Sequence, residues 1–387
     1  MEAKTDNNLS SKPARRSGIE LLKIFAMFAI VICHVTQTLG TPSAYFNDQS
    51  YVLDFAQPTT QWQYLILVIL RHGGVFGNMV FFVCTAWYLQ DSKRCDMKKW
   101  MFLLVEVWYV SIIVLLAVLI HRRGEVNGIL VISSLLPTLH ANSWYLTCYL
   151  LFYPIHPYLN IVIRAMGQRT LLRSSAALTA IYFGAVFLKP NLFLGAHPLI
   201  LWLTIYLLVA YLKTYCASAM NDFGRNLSIF IIALLCFLAS ILCLNNLAPI
   251  IMPVKEQQLL RFCSNSNPMI LIMAISLFNI ARVMKLQSRT INTVASLSML
   301  IYLLHENVFM SAYYRPEFIR SICQNYGYDH ILLIVLAAST GIYLFFAACA
   351  WLIQRALHSP MRRISDRLYT GLRHIFGSIE DRMIESR

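Results

Sequence analysis

The sequence predicts an all-α fold, a polytopic membrane helix bundle of about ten transmembrane helices with both termini cytoplasmic. Three observations carry this. Mean hydropathy is +0.59, with 58% hydrophobic and only 13% charged residues, a balance foreign to soluble globular chains. Apolar stretches of about 20 residues, the length a helix needs to cross hydrocarbon, recur from residue 18 to residue 354. Lys and Arg alternate in density between successive connections, as topology signals do.

In chain order, residues 1–17 are polar and basic and lack the short apolar core and small-residue cleavage site of a signal peptide, so they read as a cytoplasmic tail. Apolar spans follow at 18–40, 63–90, 99–120, 143–163, 171–188, 197–214, 227–248, 267–284, 291–312 and 330–354. With the N-terminus inside, 23 of the 32 Lys and Arg residues fall in inner segments, seven in outer ones, and Lys23 and Arg71 lie within spans. That asymmetry satisfies the positive-inside rule. The net charge of +14 therefore belongs to the loops and does not imply nucleic acid, which would need a basic patch on a soluble surface.

Ionisable residues inside an apolar span cost free energy unless they meet partners or water, so their positions carry information. The first span, GIELLKIFAMFAIVICHVTQTLG, holds Lys23 and His34. Eleven residues at about 100° each bring the two onto one helix face, about 16 Å apart along the axis. Glu20 lies one turn below Lys23 on nearly the same face. Depth counting puts Arg71 and His72 of the second span, and His305 and Glu306 of the ninth, at the level of His34, while Lys23 and Glu106 fall in the inner half. The Gly-Gly pair after His72 can break the helix there, leaving Arg71 and His72 either on the span or on a re-entrant segment before it.

A cation, ten intervening residues and a histidine in the first span resembles the membrane acyltransferases of the acyltransferase-3 type. GIELLKIFAMFAIVICH is similar to the version found in bacterial surface-polysaccharide O-acetyltransferases. GGVFGNMVFFVCTAWYL, NSWYLTCYLLFYPIHPYLN and SLSMLIYLLHEN fit the same family in order, so the resemblance threads nearly the whole chain. The chain departs from it where relatives commonly carry Ser-Gly, having Thr85 and Ala86 instead. It also lacks their paired-arginine spacing after this helix.

The resemblance implies an O-acyltransferase that takes an acyl group, acetyl by preference, from cytoplasmic acyl-CoA as donor substrate. No cofactor is implied as bound, and no metal. The acceptor is a hydroxyl of a surface polysaccharide or lipid-linked oligosaccharide, and the location is the cytoplasmic membrane. His34 then serves as general base, with Arg71, His72 or a backbone donor on the oxyanion and His305 beside them. A covalent acyl-histidine is the alternative route. Lys23 and Glu20 face the donor's polar part, and Lys98 and Lys99 either meet its phosphates or only mark an inner loop. Trp144 and Tyr145, placed where an outer aromatic belt falls, and Glu306 are acceptor-side candidates, although Glu306 can equally be a structural counter-charge. Pro154 and Pro157 imply a kink.

Three domains follow: the tail 1–17, the transmembrane acyltransferase domain 18–356, and a cytoplasmic amphipathic basic helix 357–387. That last segment has Ile364, Leu368, Leu372, Ile375, Phe376, Ile379 and Met383 on one stripe among arginines. Ten cysteines show no metal spacing. Cys263 and Cys323 fall in outer loops and can pair if they are close. No phosphate loop, nucleophile elbow or internal repeat is present. A transporter of a small anion or lipid-linked sugar also needs charges at mid-membrane, but twofold repeat symmetry would favour it and is not seen. An interaction protein with a degenerate site is a third reading.

Overall fold

The structure is a computed structural model that describes residues 16–39, 61–122, 124, 126–139, 143–188, 198–251 and 263–373. Among these residues helices joined by short turns are the regular structure, with no strand. The first helix, α1 (Ser17–Thr38), is the hub. It packs on α2 (Gln61–Arg71), α3 (Gly73–Leu89), α12 (Pro268–Val283), α13 (Arg289–Ser296), α14 (Ser298–His305) and α16 (Ile331–Gly371). The remaining helices are α4 (Met97–His121), α5 (Gly128–Leu135), α6 (Trp144–Phe152), α7 (His156–Ala165), α8 (Gln168–Thr179), α9 (Pro198–Tyr215), α10 (Ala217–Asn221), α11 (Phe223–Ile251) and α15 (Arg315–Tyr326).

Six described helices are long and apolar enough to cross a membrane, or eight if each of two bent pairs counts as one span. The pair α6 and α7 meets at 60°, where Pro154 and Pro157 deny the backbone its donors. The second pair, α13–α14 against the segment Met310–Tyr326, meets at 73° just past His305. The expected second span is α2 and α3 joined by a turn at His72. Of the two other expected spans, 171–188 is α8 run into a π-helical turn at Ala180–Val186, and 267–284 is the 16-residue α12. Summed hydropathy measures apolar content and does not register a bend or an early end to a helix.

One expectation is revised and one open point is answered. Residues 357–371 do not form a separate helix, because α16 continues the last span unbroken to Gly371 and packs there on the start of α4. Ile375, Phe376, Ile379 and Met383 lie outside the described residues. Cys263 and Cys323 are unpaired with each other: the Cys263 thiol donates to the Arg71 carbonyl at 3.5 Å, and Cys323 is buried in an apolar cluster with Ile32 and Val35.

Close approach of α1 and α3 depends on glycine. A Cβ at Gly73 would sit 2.8 Å from the Ala29 carbonyl oxygen, and one at Gly77 would sit 2.6 Å from Ile30 Cγ1. Small residues let helix backbones meet closely in a bilayer, where packing replaces the hydrophobic drive. Gly77→Leu is expected to force the helices apart and to cost about 1–3 kcal/mol or more. Thermal unfolding in detergent measures this, and an unchanged midpoint would refute the packing argument.

Candidate functional site

α1 presents Lys23, Met27, Ile30 and His34 along one face, as the spacing requires. The first three line a cavity of about 680 Å³ that runs beside the N-terminal half of the helix. Glu106, Tyr145 and Tyr302 line it as well, as do Lys99 and Trp100. Glu20 accepts from Lys23 Nζ at 3.2 Å, so the two form a pair that is only partly buried. Thr85 also faces this space, its hydroxyl 3.5 Å from the Tyr145 hydroxyl, while Ala86 is buried against neighbours. The departure at these two positions therefore puts a hydroxyl on the cavity wall and keeps helix packing tight.

One turn beyond the cavity, α1 meets the bend after α14. His34 Nδ1 lies 2.8 Å from Glu306 Oε1 and 3.0 Å from His305 Nε2. His305 Nδ1 is 2.9 Å from the Ile301 carbonyl oxygen, which can only accept. His305 Nδ1 therefore carries a proton, and in the neutral ring Nε2 is an acceptor. His34 Nδ1–H then donates to Glu306 and to His305 together, which leaves His34 Nε2 as the basic nitrogen.

Arg315 closes the group. Its Nη1 donates to Glu306 Oε1 at 2.7 Å and to the His305 carbonyl at 3.3 Å. Its Nε donates to the Thr38 hydroxyl at 3.2 Å, and Thr38 in turn donates to the His34 carbonyl at 2.8 Å. Glu306 follows the last residue of α14, so the break in the helix turns its carboxylate toward both His34 and Arg315. Backbone freed at such a break is tolerated at membrane depth only where polar groups answer it, as the Asn307 side chain does by accepting from the Phe309 N–H at 3.1 Å.

His34, His305 and Glu306 offer three ligand atoms within 4.8 Å of one another, enough in principle for a divalent ion. Arg315 already supplies the counter-charge to the carboxylate oxygen such an ion would use, and His34 Nδ1 would have to lose its proton. The charge balance thus favours a carboxylate-oriented histidine, the pairing that readies an imidazole for proton transfer.

The structure gathers His34, His305 and Glu306, and brings Lys23 and Tyr145 to one cavity. It does not bring His72 to the cluster. That ring is buried against Phe237 with centroids 5.0 Å apart, and its Nδ1 caps the Val68 carbonyl at 2.7 Å. Arg71 ends α2 beside Cys263, and Gly74 packs on Cys33, so this joint lies against α1 next to His34. Trp144 packs against Phe82 at a tilt and edge-on against Tyr145. Tyr145 is buried between Phe82 and Trp202, so it belongs to the interior and not to an interfacial belt. Lys98 lies over the Tyr369 ring, 5.4 Å from its centroid. Arg315 is the residue that sequence reasoning missed.

No curated protein and no solved structure matches the chain significantly. The model of the acyltransferase-3 family, described as an acyltransferase domain, matches residues 16–355. That match takes in α1 with its lysine and histidine, the bent segment carrying Glu306 and Arg315, and every wall of the large cavity. The chain belongs to the acyltransferase-3 family of multi-pass membrane acyltransferases.

Proposed function

We propose that this protein is an O-acyltransferase of the cytoplasmic membrane, with both termini inside, moving an acetyl group from cytoplasmic acyl-CoA to a hydroxyl of a surface polysaccharide or its lipid-linked precursor. The observation that carries the reading is how near the lining of the large cavity comes to the His34 cluster. Ile30 and Tyr302 line the cavity, each about one helical turn from His34 and His305 respectively, and the Tyr302 and His305 rings are 6.0 Å apart. A thioester on a pantetheine arm spans about the 16 Å between Lys23 and His34. Lys23 and Glu106 can meet the arm's amides on the way.

The acceptor enters from the opposite side. His34 Nε2 takes the hydroxyl proton as the oxygen adds to the thioester carbonyl, because a sugar hydroxyl is a poor nucleophile until that proton is leaving. The tetrahedral intermediate collapses with cleavage of the C–S bond, the ester is formed, and the departing sulfur takes the proton from the imidazolium. Glu306 stabilises the imidazolium while it exists, and Arg71 is the candidate donor to the oxyanion.

Membranes containing the chain, incubated with isotope-labelled acetyl-CoA and the host's extracted surface glycans, are expected to place label in base-labile ester, and membranes without it are not. Label in neither, when other acyl-CoA donors and lipid-linked acceptors have also been supplied, would instead favour transport of a small anion or lipid-linked sugar through the same charged bundle.

A further inference from the structure

α16 outruns the family domain. The match ends at residue 355, yet the helix continues to Gly371 and is held down along one face. Met361, Ser365 and Tyr369, at i, i+4 and i+8, are 0%, 2% and 9% exposed. Tyr369 is buried with Cys95, Met97, Met101 and Tyr153, and the His358 ring lies 5.2 Å from that of Phe102 on α4. A helix lying on a membrane surface would bury such a stripe in lipid, whereas here protein covers it.

Between this extension and the start of α4 is a second cavity, of about 470 Å³. Lys98, Lys99, Arg362 and His358 line it, together with two carboxylates, Asp96 and Asp366. Asp96 is engaged as the cap of α4, accepting from the Lys99 N–H at 3.0 Å. Lys99 and Phe102 line both this cavity and the large one, so the two adjoin.

We propose that the second cavity holds the phosphate-bearing nucleotide end of the acyl-CoA donor, and that the extension of α16 is therefore a donor-binding element outside the family domain. This rests on the donor reading given above. A chain with its thioester near His34 passes Lys23 and emerges beside Lys99, where the cations on α4 and α16 face each other. Guanidinium and ammonium groups on two helices suit the several phosphates of such a nucleotide.

The test compares acetyl-CoA with acetyl-pantetheine, a thioester without phosphates, in vesicles of fixed composition. Arg362→Glu is expected to raise KM for acetyl-CoA about tenfold or more, to leave KM for acetyl-pantetheine unchanged, and to weaken competitive inhibition by adenosine 3′,5′-bisphosphate to a similar degree. Arg367→Glu, on the same helix but off the cavity, is expected to change none of these. The proposal is overturned if both donors shift together, which marks a structural effect. It is equally overturned if the two variants behave alike, which marks attraction to anionic lipid headgroups, or if KM for acetyl-CoA does not move. Wild-type protein that turns over neither donor overturns the donor reading itself, whereas normal wild-type turnover with an insensitive Arg362 overturns only this subsite.

Discussion

His34→Ala is expected to lower acyl transfer about a thousandfold or more while the protein still inserts and folds. A positioned general base is worth about 10²–10⁴ in rate, and no other described imidazole stands where it could substitute: His305 Nε2 faces His34 itself, and His72 is packed on Phe237. Folding survives because the truncation leaves no buried charge alone. Glu306 keeps Arg315 at 2.7 Å, and His305 keeps its bond to the Ile301 carbonyl. The loss is confined to hydrogen bonds of a partly exposed ring, about 1 kcal/mol or so. His34→Gln retains a donor for Glu306 yet supplies no base, so it should be as inactive as alanine. Label transfer at matched membrane levels, with unfolding midpoints for both variants, makes the check. Transfer by either variant at near wild-type rate would remove His34 from the chemistry.

Much of this site is legible in the chain. Helical phase alone puts Lys23 and His34 on one face of α1, and depth counting brings His305 and Glu306 to the level of His34. The second relation holds between side chains in the structure, and α1 runs unbroken through Lys23 and His34, as the first requires. Arg315 is hidden for a definite reason. Read as a continuous span, residues 291–312 carry the chain past the site and leave Arg315 in a loop. The 73° bend after α14 folds it back onto Glu306. The signal available was the polar run His305-Glu306-Asn307 inside an apolar stretch, with Pro316 soon after, a pattern more at home at a break than in mid-helix. His72 illustrates a different limit. It follows Arg71 directly, but neighbours on a helix point about 100° apart, and which of the two faces α1 depends on the packing of Gly73, Gly74 and Gly77, which composition does not reveal. Trp144 and Tyr145 are two more adjacent residues with different surroundings, of which only Tyr145 reaches the cavity.

The role of Glu306 yields the second large effect, and one variant pair separates its two readings. As the partner of His34 it fixes the ring's tautomer and stabilises the imidazolium. As the partner of Arg315 it merely neutralises a cation whose side chain is 11% exposed. Glu306→Gln is expected to lower kcat about a hundredfold or more, with KM for the donor little changed, because the carboxylate acts on the base and not on the bound thioester. The same change strands Arg315, and breaking this partly buried pair from one side should cost at most the roughly 3–5 kcal/mol of a fully buried one, so stability should fall as well. Adding Arg315→Met removes the stranded charge, and the double variant should regain most of the lost stability. Activity is where the readings divide. If Glu306 acts through His34, the double variant stays as slow as Glu306→Gln alone, since an amide cannot stabilise an imidazolium as a carboxylate does. If turnover returns with stability, Glu306 is only a counter-charge, and His34 works without an anionic partner. Measuring kcat and unfolding midpoints on the wild type, both single variants and the double variant completes the cycle.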